Sequence, residues 1–166
     1  MKPDINIGFI GLGNVGSKLA NSILISNFNL FIYDLDIKCT VDLVKRGAIL
    51  CTSIMDLVNR TTVIITCLPN PKSIQEVVLG KLGLINFINE SHLWVEMSTT
   101  DEKEMLRLSS LVIQKKAKVL EAPVTGGQHR AAKGNISILV SGDRENFDRA
   151  MPILSEMGYE ILFCGK

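Results

Sequence analysis

A Gly-x-Gly-x-x-Gly spacing that falls between an apolar run and a helical repeat constrains this chain more than any other feature. Ile5, Ile7, Phe9 and Ile10 form a run suited to a strand buried on both faces. Gly11, Gly13 and Gly16 follow it, and Val15, Leu19, Ile23 and Leu24 recur at helical spacing in a helix expected from Asn14 to about Ser26. The glycines have separate tasks: Gly11 permits the turn out of the strand, Gly13 lets backbone approach a pyrophosphate, and Gly16 brings the helix against the strand. With Leu12, Asn14 and Val15 they make a loop whose amides, at the positive end of the helix dipole, suit a phosphate. The spacing is common in isolation; its place between strand and helix is what points to a dinucleotide.

A second strand, Asn29–Asp34, ends in an acid eighteen positions after Gly16. The Asp34 carboxylate can accept both ribose hydroxyls of an adenosine and repels a 2′-phosphate. Leu35, not arginine, follows it, so NAD is expected in preference to NADP. Asp36 either shares this task or caps the next helix.

Composition narrows the class. The 166 residues suit one domain with a substantial core, and 46% hydrophobic content fits a parallel sheet covered on both faces. A net charge of +1 gives no reason to expect nucleic acid or an anionic membrane as partner. No apolar run approaches the roughly 20 residues of a membrane-spanning helix. The chain is expected to start directly in its first strand, without a signal peptide, and to be cytoplasmic. Cys39, Cys51, Cys67 and Cys164 lack C-x-x-C spacing and are expected as buried free thiols; two histidines without H-x-x-x-H spacing give no metal site.

Further along, Asp36–Arg46 reads as a helix closed by Gly47, Ala48–Cys51 as a brief strand, and Ser53 as the cap of a helix to about Asn59. Thr62–Leu68 reads as a central strand stopped by Pro69, and Pro71 starts a helix to about Val78. Leu93–Met97 is a strand, and Thr100 or Asp101 caps a helix through Lys115. Lys118–Ala122 is a strand, Pro123–Gly127 a loop, Ile136–Val140 a strand, Arg144–Met157 a helix and Tyr159–Phe163 a last strand. This alternation predicts an α/β, doubly wound, mostly parallel sheet with helices on both faces, of Rossmann type.

Three more segments fall at the carboxyl ends of strands, where such sheets bind ligands. Leu68 and Pro69 offer backbone and apolar contact to a cofactor, or merely terminate a strand. Ser98 and Thr99 offer hydroxyls to a nicotinamide ribose or carboxamide, or merely cap a helix. Thr125, Gly126 and Gly127 offer turn amides suited to a carboxylate, or form a plain glycine loop.

Together these segments resemble the β-hydroxyacid dehydrogenases, the family of 3-hydroxyisobutyrate dehydrogenase and tartronate semialdehyde reductase, with 6-phosphogluconate dehydrogenase more distant. Gly11–Gly16 matches the family's GLGxMG, Tyr33-Asp34 its acidic second-strand end, Leu68-Pro69 its LP signature and Glu96–Thr99 its D-x-S-T signature. Glu121–Gly134, EAPVTGGQHRAAKG, matches DAPVSGG-x-x-GA-x-x-G, the most specific of these. The resemblance implies cofactor contacts from Gly11–Gly16, Asp34, Leu68, Pro69 and Thr99. It implies that Ser98, Thr125, Gly126 and Gly127 hold a small carboxylate substrate. Glu96, Glu121 and Thr125 are mild departures, and Arg130 stands where the family has glycine.

The family's catalytic lysine lies in a K-x-x-N segment past this domain, on a helix leading into an all-α domain, and neither Lys133 nor Lys166 matches it. The resemblance thus implies the cofactor domain of an oxidoreductase, residues 1–166, with no catalytic residue of its own and no helical domain. The alternatives are a non-catalytic dinucleotide-binding module or scaffold, and an enzyme half completed by a separate helical chain. The face that a helical domain would cover is expected to favour a homodimer.

Overall fold

A computed structural model describes residues 5–26 and 28–166; the expected leaderless start falls on residues 1–4, outside that range. The apolar run forms β1 (Asn6–Ile10), and the glycine loop leads into α1 (Gly16–Ile25), which begins two residues later than periodicity alone places it. There follow β2 (Asn29–Tyr33), a 3₁₀ turn (Ile37–Thr40), α2 (Val41–Lys45), β3 (Ile49–Leu50), α3 (Ile54–Arg60) and β4 (Val63–Thr66). Next come α4 (Pro71–Leu79), a 3₁₀ turn (Leu84–Asn86), β5 (Leu93–Glu96), α5 (Glu102–Gln114) and β6 (Lys118–Glu121). The last part holds β7 (Val124–Thr125), α6 (Gly127–Ala132), β8 (Ile136–Gly142), α7 (Arg144–Met157) and β9 (Gly158–Gly165).

The strands form one sheet in the order β3-β2-β1-β4-β5-β6-β8-β7, with β9 also paired to β8. From β3 to β6 all neighbours are parallel. Strand side chains alternate between faces, and each face is covered. Ile7, Phe9, Val63 and Ile65 pack with Leu19 and Ile23 of α1 and Ile153 and Leu154 of α7. Ile10, Ile64 and Trp94 pack on the other side with Leu57 of α3, Ile74 of α4 and Leu108 of α5. Every residue of β4 and β5 is buried, as a central parallel strand requires.

Three expectations need correction. The helix expected over 36–46 is a 3₁₀ turn followed by five residues of α-helix. Local bonds favour the tighter turn: the Asp36 carboxylate accepts the Lys38 amide at 3.0 Å, and the Thr40 hydroxyl donates to the Ile37 carbonyl at 2.7 Å. The loop expected at 123–127 contains β7, whose Val124 and Thr125 pair with Ile138 and Ser137, and it leads into an unforeseen helix, α6. With no full crossover between them, β6 and β8 are antiparallel. Finally, Cys51 is buried, but Cys39 and Cys67 are half-buried and Cys164 is exposed. Cys164 lies on β9, of which Phe163 packs against Phe147 of α7 while alternate residues face solvent.

Candidate cofactor site

The chain leaves β1 toward β2 and β3, then returns to lay β4, β5 and β6 on the opposite side. β1 and β4 therefore flank the topological switch point, and their carboxyl ends open into a cleft of about 820 Å³. Gly11, Gly13, Asn14, Val15, Gly16, Asp34, Leu68, Pro69, Ser98, Thr99 and Gly127 line it. Of the residues singled out in the sequence, Leu12, Thr125 and Gly126 do not. Leu12 is buried beneath the loop, whereas Thr125 and Gly126 are exposed beside the cleft at the start of α6.

The loop after β1 is built by close backbone approach. Gly11 has φ +94°, and a Cβ there would stand 2.4 Å from the Cys67 carbonyl oxygen. A Cβ on Gly16 would stand 2.1 Å from the Gly11 carbonyl oxygen, so Gly16 serves loop–helix contact more than helix–strand contact. Gly13 has no atom within 4 Å of such a Cβ, and its exposed face opens outward. Among the described residues, the amides of Gly13, Asn14 and Val15 have no protein acceptor. The N-terminus of α1 has no side-chain cap and no acid in its first turn. Unpaired amides converging on a helix's positive end fit a diphosphate.

Asp34, at the end of β2, organises the neighbouring rim. One carboxylate oxygen accepts the Leu12 amide at 2.6 Å and the other the Asp36 amide at 2.8 Å. Each oxygen retains acceptor capacity for a hydroxyl. Leu35, 86% exposed, lies beside it in the lining and offers an apolar face. Lys72, Ser73 and Glu76 of α4 also line the cleft, and sequence reasoning passed over them. Their signal was Asn70-Pro71: the Asn70 side chain accepts the Ser73 amide and Pro71 opens the helix, which turns its first residues toward the switch point.

At the ends of β4 and β5 lies a buried polar chain. Glu96 is 0% exposed and accepts from the Thr66 hydroxyl and the Ser98 amide, each at 2.6 Å. Ser98 is also buried, and its hydroxyl oxygen accepts the Leu68 amide at 2.7 Å, whereas Thr99 is exposed. Burial pushes the Glu96 carboxyl above its ordinary range, against the pull of hydrogen bonds from Ser98 and Thr66. Burial likewise raises Glu121, with the Glu102 charge adding to it. The Cys67 thiol is pushed up to about 12, by burial and then by Glu96, so it stays protonated and is no nucleophile at neutral pH.

These shifts carry a sign. Glu96 and Glu121 hold protons to higher pH in the folded chain than at the ordinary value of 4.5. Their contribution to stability is full below that value and is lost as pH rises through the raised values. Urea midpoints of the wild type are expected to decrease as pH rises above the ordinary carboxyl value of 4.5, and Glu96→Gln is expected to flatten that slope. Parallel slopes for the two proteins would count against the assignment.

The family model for the NAD binding domain of 6-phosphogluconate dehydrogenase matches residues 6–165. The chain belongs to that family. It is 31% identical over 159 residues to the mitochondrial 3-hydroxyisobutyrate dehydrogenase of Rattus norvegicus, covering 96% of this chain and 48% of that protein. It is 31% identical over 160 residues to 3-hydroxyisobutyrate dehydrogenase of Pseudomonas aeruginosa, covering 96% and 54%. The chain thus spans about half the length of the curated relatives it matches. The structure of Mycobacterium tuberculosis 3-hydroxyisobutyrate dehydrogenase with L-serine superposes with a TM-score of 0.90 at 25% identity, covering 99% of this chain and 55% of that one. A structure of Psf3 in complex with NADP+ and 2-OPP superposes at 0.93, also at 25% identity, covering 96% and 57%. The family's fold, a Rossmann-like NAD-binding domain, is the fold described above.

Proposed function

We propose that this chain binds NAD across the switch-point cleft and serves as the cofactor half of an oxidoreductase acting on a small β-hydroxy acid. The carrying observation is the coincidence, in one cleft, of the unpaired amides at the start of α1 with the Asp34 carboxylate at the end of β2. The diphosphate rests on Gly13, Asn14 and Val15, and the adenosine extends over β2, its ribose hydroxyls on Asp34 and its base beside Leu35. The other half then extends over β4 and β5, toward Leu68, Pro69 and Thr99. When bound, the nicotinamide supplies the hydride acceptor or donor.

Beyond β5 the cleft is bounded by Val124, Gly127 and Ile136. We place the substrate there, its carboxylate on the turn Thr125–Gly127, as the relatives named 3-hydroxyisobutyrate dehydrogenase suggest. The stem of Arg130 packs over Gly126, its Cδ 2.7 Å from where a Cβ would stand. For proton transfer at the substrate oxygen this region offers little: Cys67 holds its proton too tightly, and Lys72, the lysine in the lining, stands on α4. We assign that step to a group outside these 166 residues, so the chain alone binds cofactor without turnover.

The test is a titration of the purified chain with NADH and NADPH, followed by NADH fluorescence, with an assay for NAD+ reduction by 3-hydroxyisobutyrate. Tighter binding of NADH supports the reading; binding of neither cofactor overturns it. Rapid turnover by the chain alone would overturn the assignment of proton transfer elsewhere.

No helix among the described residues is long and apolar enough to cross a membrane. Leu139 and Leu162, register partners on β8 and β9, are both exposed on the face opposite α7, and Tyr159 is exposed on β9. We propose that this edge drives self-association of the isolated chain. Light scattering should give a mass that rises with concentration; a single-chain mass throughout would rule it out.

A further inference from the structure

A buried carboxyl at the end of an otherwise apolar strand needs a reason. β4 and β5 read Val-Ile-Ile-Thr and Leu-Trp-Val-Glu, and their pairing is already held by the parallel ladder in which Thr66 stands opposite Glu96. Placing a carboxyl there costs solvation that an apolar residue would not lose. Its hydrogen bonds run in one direction. The Trp94 indole N–H, which can only donate, reaches the Thr66 hydroxyl oxygen at 2.8 Å, leaving the Thr66 proton for Glu96. The other Glu96 oxygen accepts the Ser98 amide, and the Ser98 hydroxyl oxygen accepts the amide of Leu68. The chain therefore begins in the core on Trp94 and ends on Ser98 and Leu68, two residues of the cleft lining.

We propose that Glu96 is a positioning residue for the nicotinamide end of the cleft, holding Ser98 and, through it, the Leu68 backbone in the places from which they meet the cofactor. This rests on the reading that the cleft binds a dinucleotide. It also gives Ser98 a different role from the one the sequence suggested: its hydroxyl is a strut between two strand ends, and exposed Thr99 is the hydroxyl that faces the cleft. Glu96 touches no cofactor atom in this account; it acts through Ser98.

The deciding experiment compares NADH with ADP-ribose by calorimetry on the full chain. ADP-ribose keeps the partners of the glycine loop and Asp34 but carries no nicotinamide. Glu96→Gln and Thr66→Val are expected to weaken NADH roughly tenfold while leaving ADP-ribose within about twofold. Thr66→Ser, which restores the hydroxyl, should return the wild-type ratio. Equal loss of both ligands would make Glu96 a fold residue only, and no change in either would make it dispensable; both outcomes overturn the proposal. If the wild type binds NADH no better than ADP-ribose, the proposal falls and the cofactor reading stands. If it binds neither, the cofactor reading falls and takes the proposal with it.

Discussion

Gly16→Ala is expected to abolish measurable NADH binding and to lower the unfolding free energy by about 2–3 kcal/mol. The added Cβ would stand 2.1 Å from the Gly11 carbonyl oxygen, 3.1 Å from the Gly11 carbonyl carbon and 3.4 Å from Cys67 Cβ. Two of these atoms are backbone of the turn out of β1, and that turn is pinned: Gly11 donates to the Tyr33 carbonyl at 3.2 Å, and Cys67 donates to the Ile10 carbonyl at 3.0 Å. The start of α1 must therefore retreat, and the amides it presents to a diphosphate retreat with it. Gly13→Ala is the control that separates fold from site. With no atom within 4 Å of its added Cβ, it should leave the urea midpoint nearly unchanged and weaken NADH by obstructing the approach of the diphosphate. If Gly16→Ala binds NADH as the wild type does, the phosphate loop has been placed wrongly.

Asp34→Ala is the second large effect, and it acts twice. It removes the proposed acceptor of the ribose hydroxyls, so NADH binding should weaken by roughly tenfold or more, and the preference over NADPH should shrink or reverse. It also strands the amide of Leu12, a residue 2% exposed, which at present donates to Asp34 at 2.6 Å. An orphaned buried donor costs about 1–3 kcal/mol, and the glycine loop above it loses one of its ties to β2, keeping the bond from Gly11 to the Tyr33 carbonyl. Asp34→Asn keeps one acceptor oxygen and should recover much of the stability while keeping little of the cofactor preference. Retention of the NADH to NADPH ratio in Asp34→Ala would remove Asp34 from the site.

Much of the parallel part of this molecule was legible without coordinates, because its signals are local. A β-branched run stopped by Pro69 marked β4 and the apolar run before Gly11 marked β1, while Pro71 marked one helix start through its fixed φ and Asp101 another by accepting amides a few residues on. The glycine spacing implied a dinucleotide because Gly11 and Gly16 answer steric demands of the surrounding backbone that no larger residue meets, and Gly13 leaves the loop an open outer face. Where local bonds compete with periodicity, as at Asp36 and Thr40, the apolar spacing alone pointed to a longer helix than forms.

The last third was less legible. Val124 and Thr125 are too few to read as a strand, and they become one only because Ile138 and Ser137 are brought beside them. The antiparallel direction of β8 likewise follows from its pairing, since β6 and β7 meet β8 in one continuous register and α6 turns the chain back between them, which no spacing in the sequence expresses. The same holds in the cleft. The sequence by itself determined the glycine loop, the acid at the end of β2 and the sheet that carries them, since each follows from steric and hydrogen-bonding rules over a few residues. Tertiary structure alone decided that Asp34 ties down Leu12, that α4 presents Lys72 and Glu76 to the cleft, and that Glu96 meets Thr66 and Ser98. The reason is sequence separation: Asp34 and Leu12 stand 22 positions apart, and Thr66 and Glu96 stand 30 apart. Contacts of that range depend on strand order and register, which the assembled sheet fixes and no local pattern encodes.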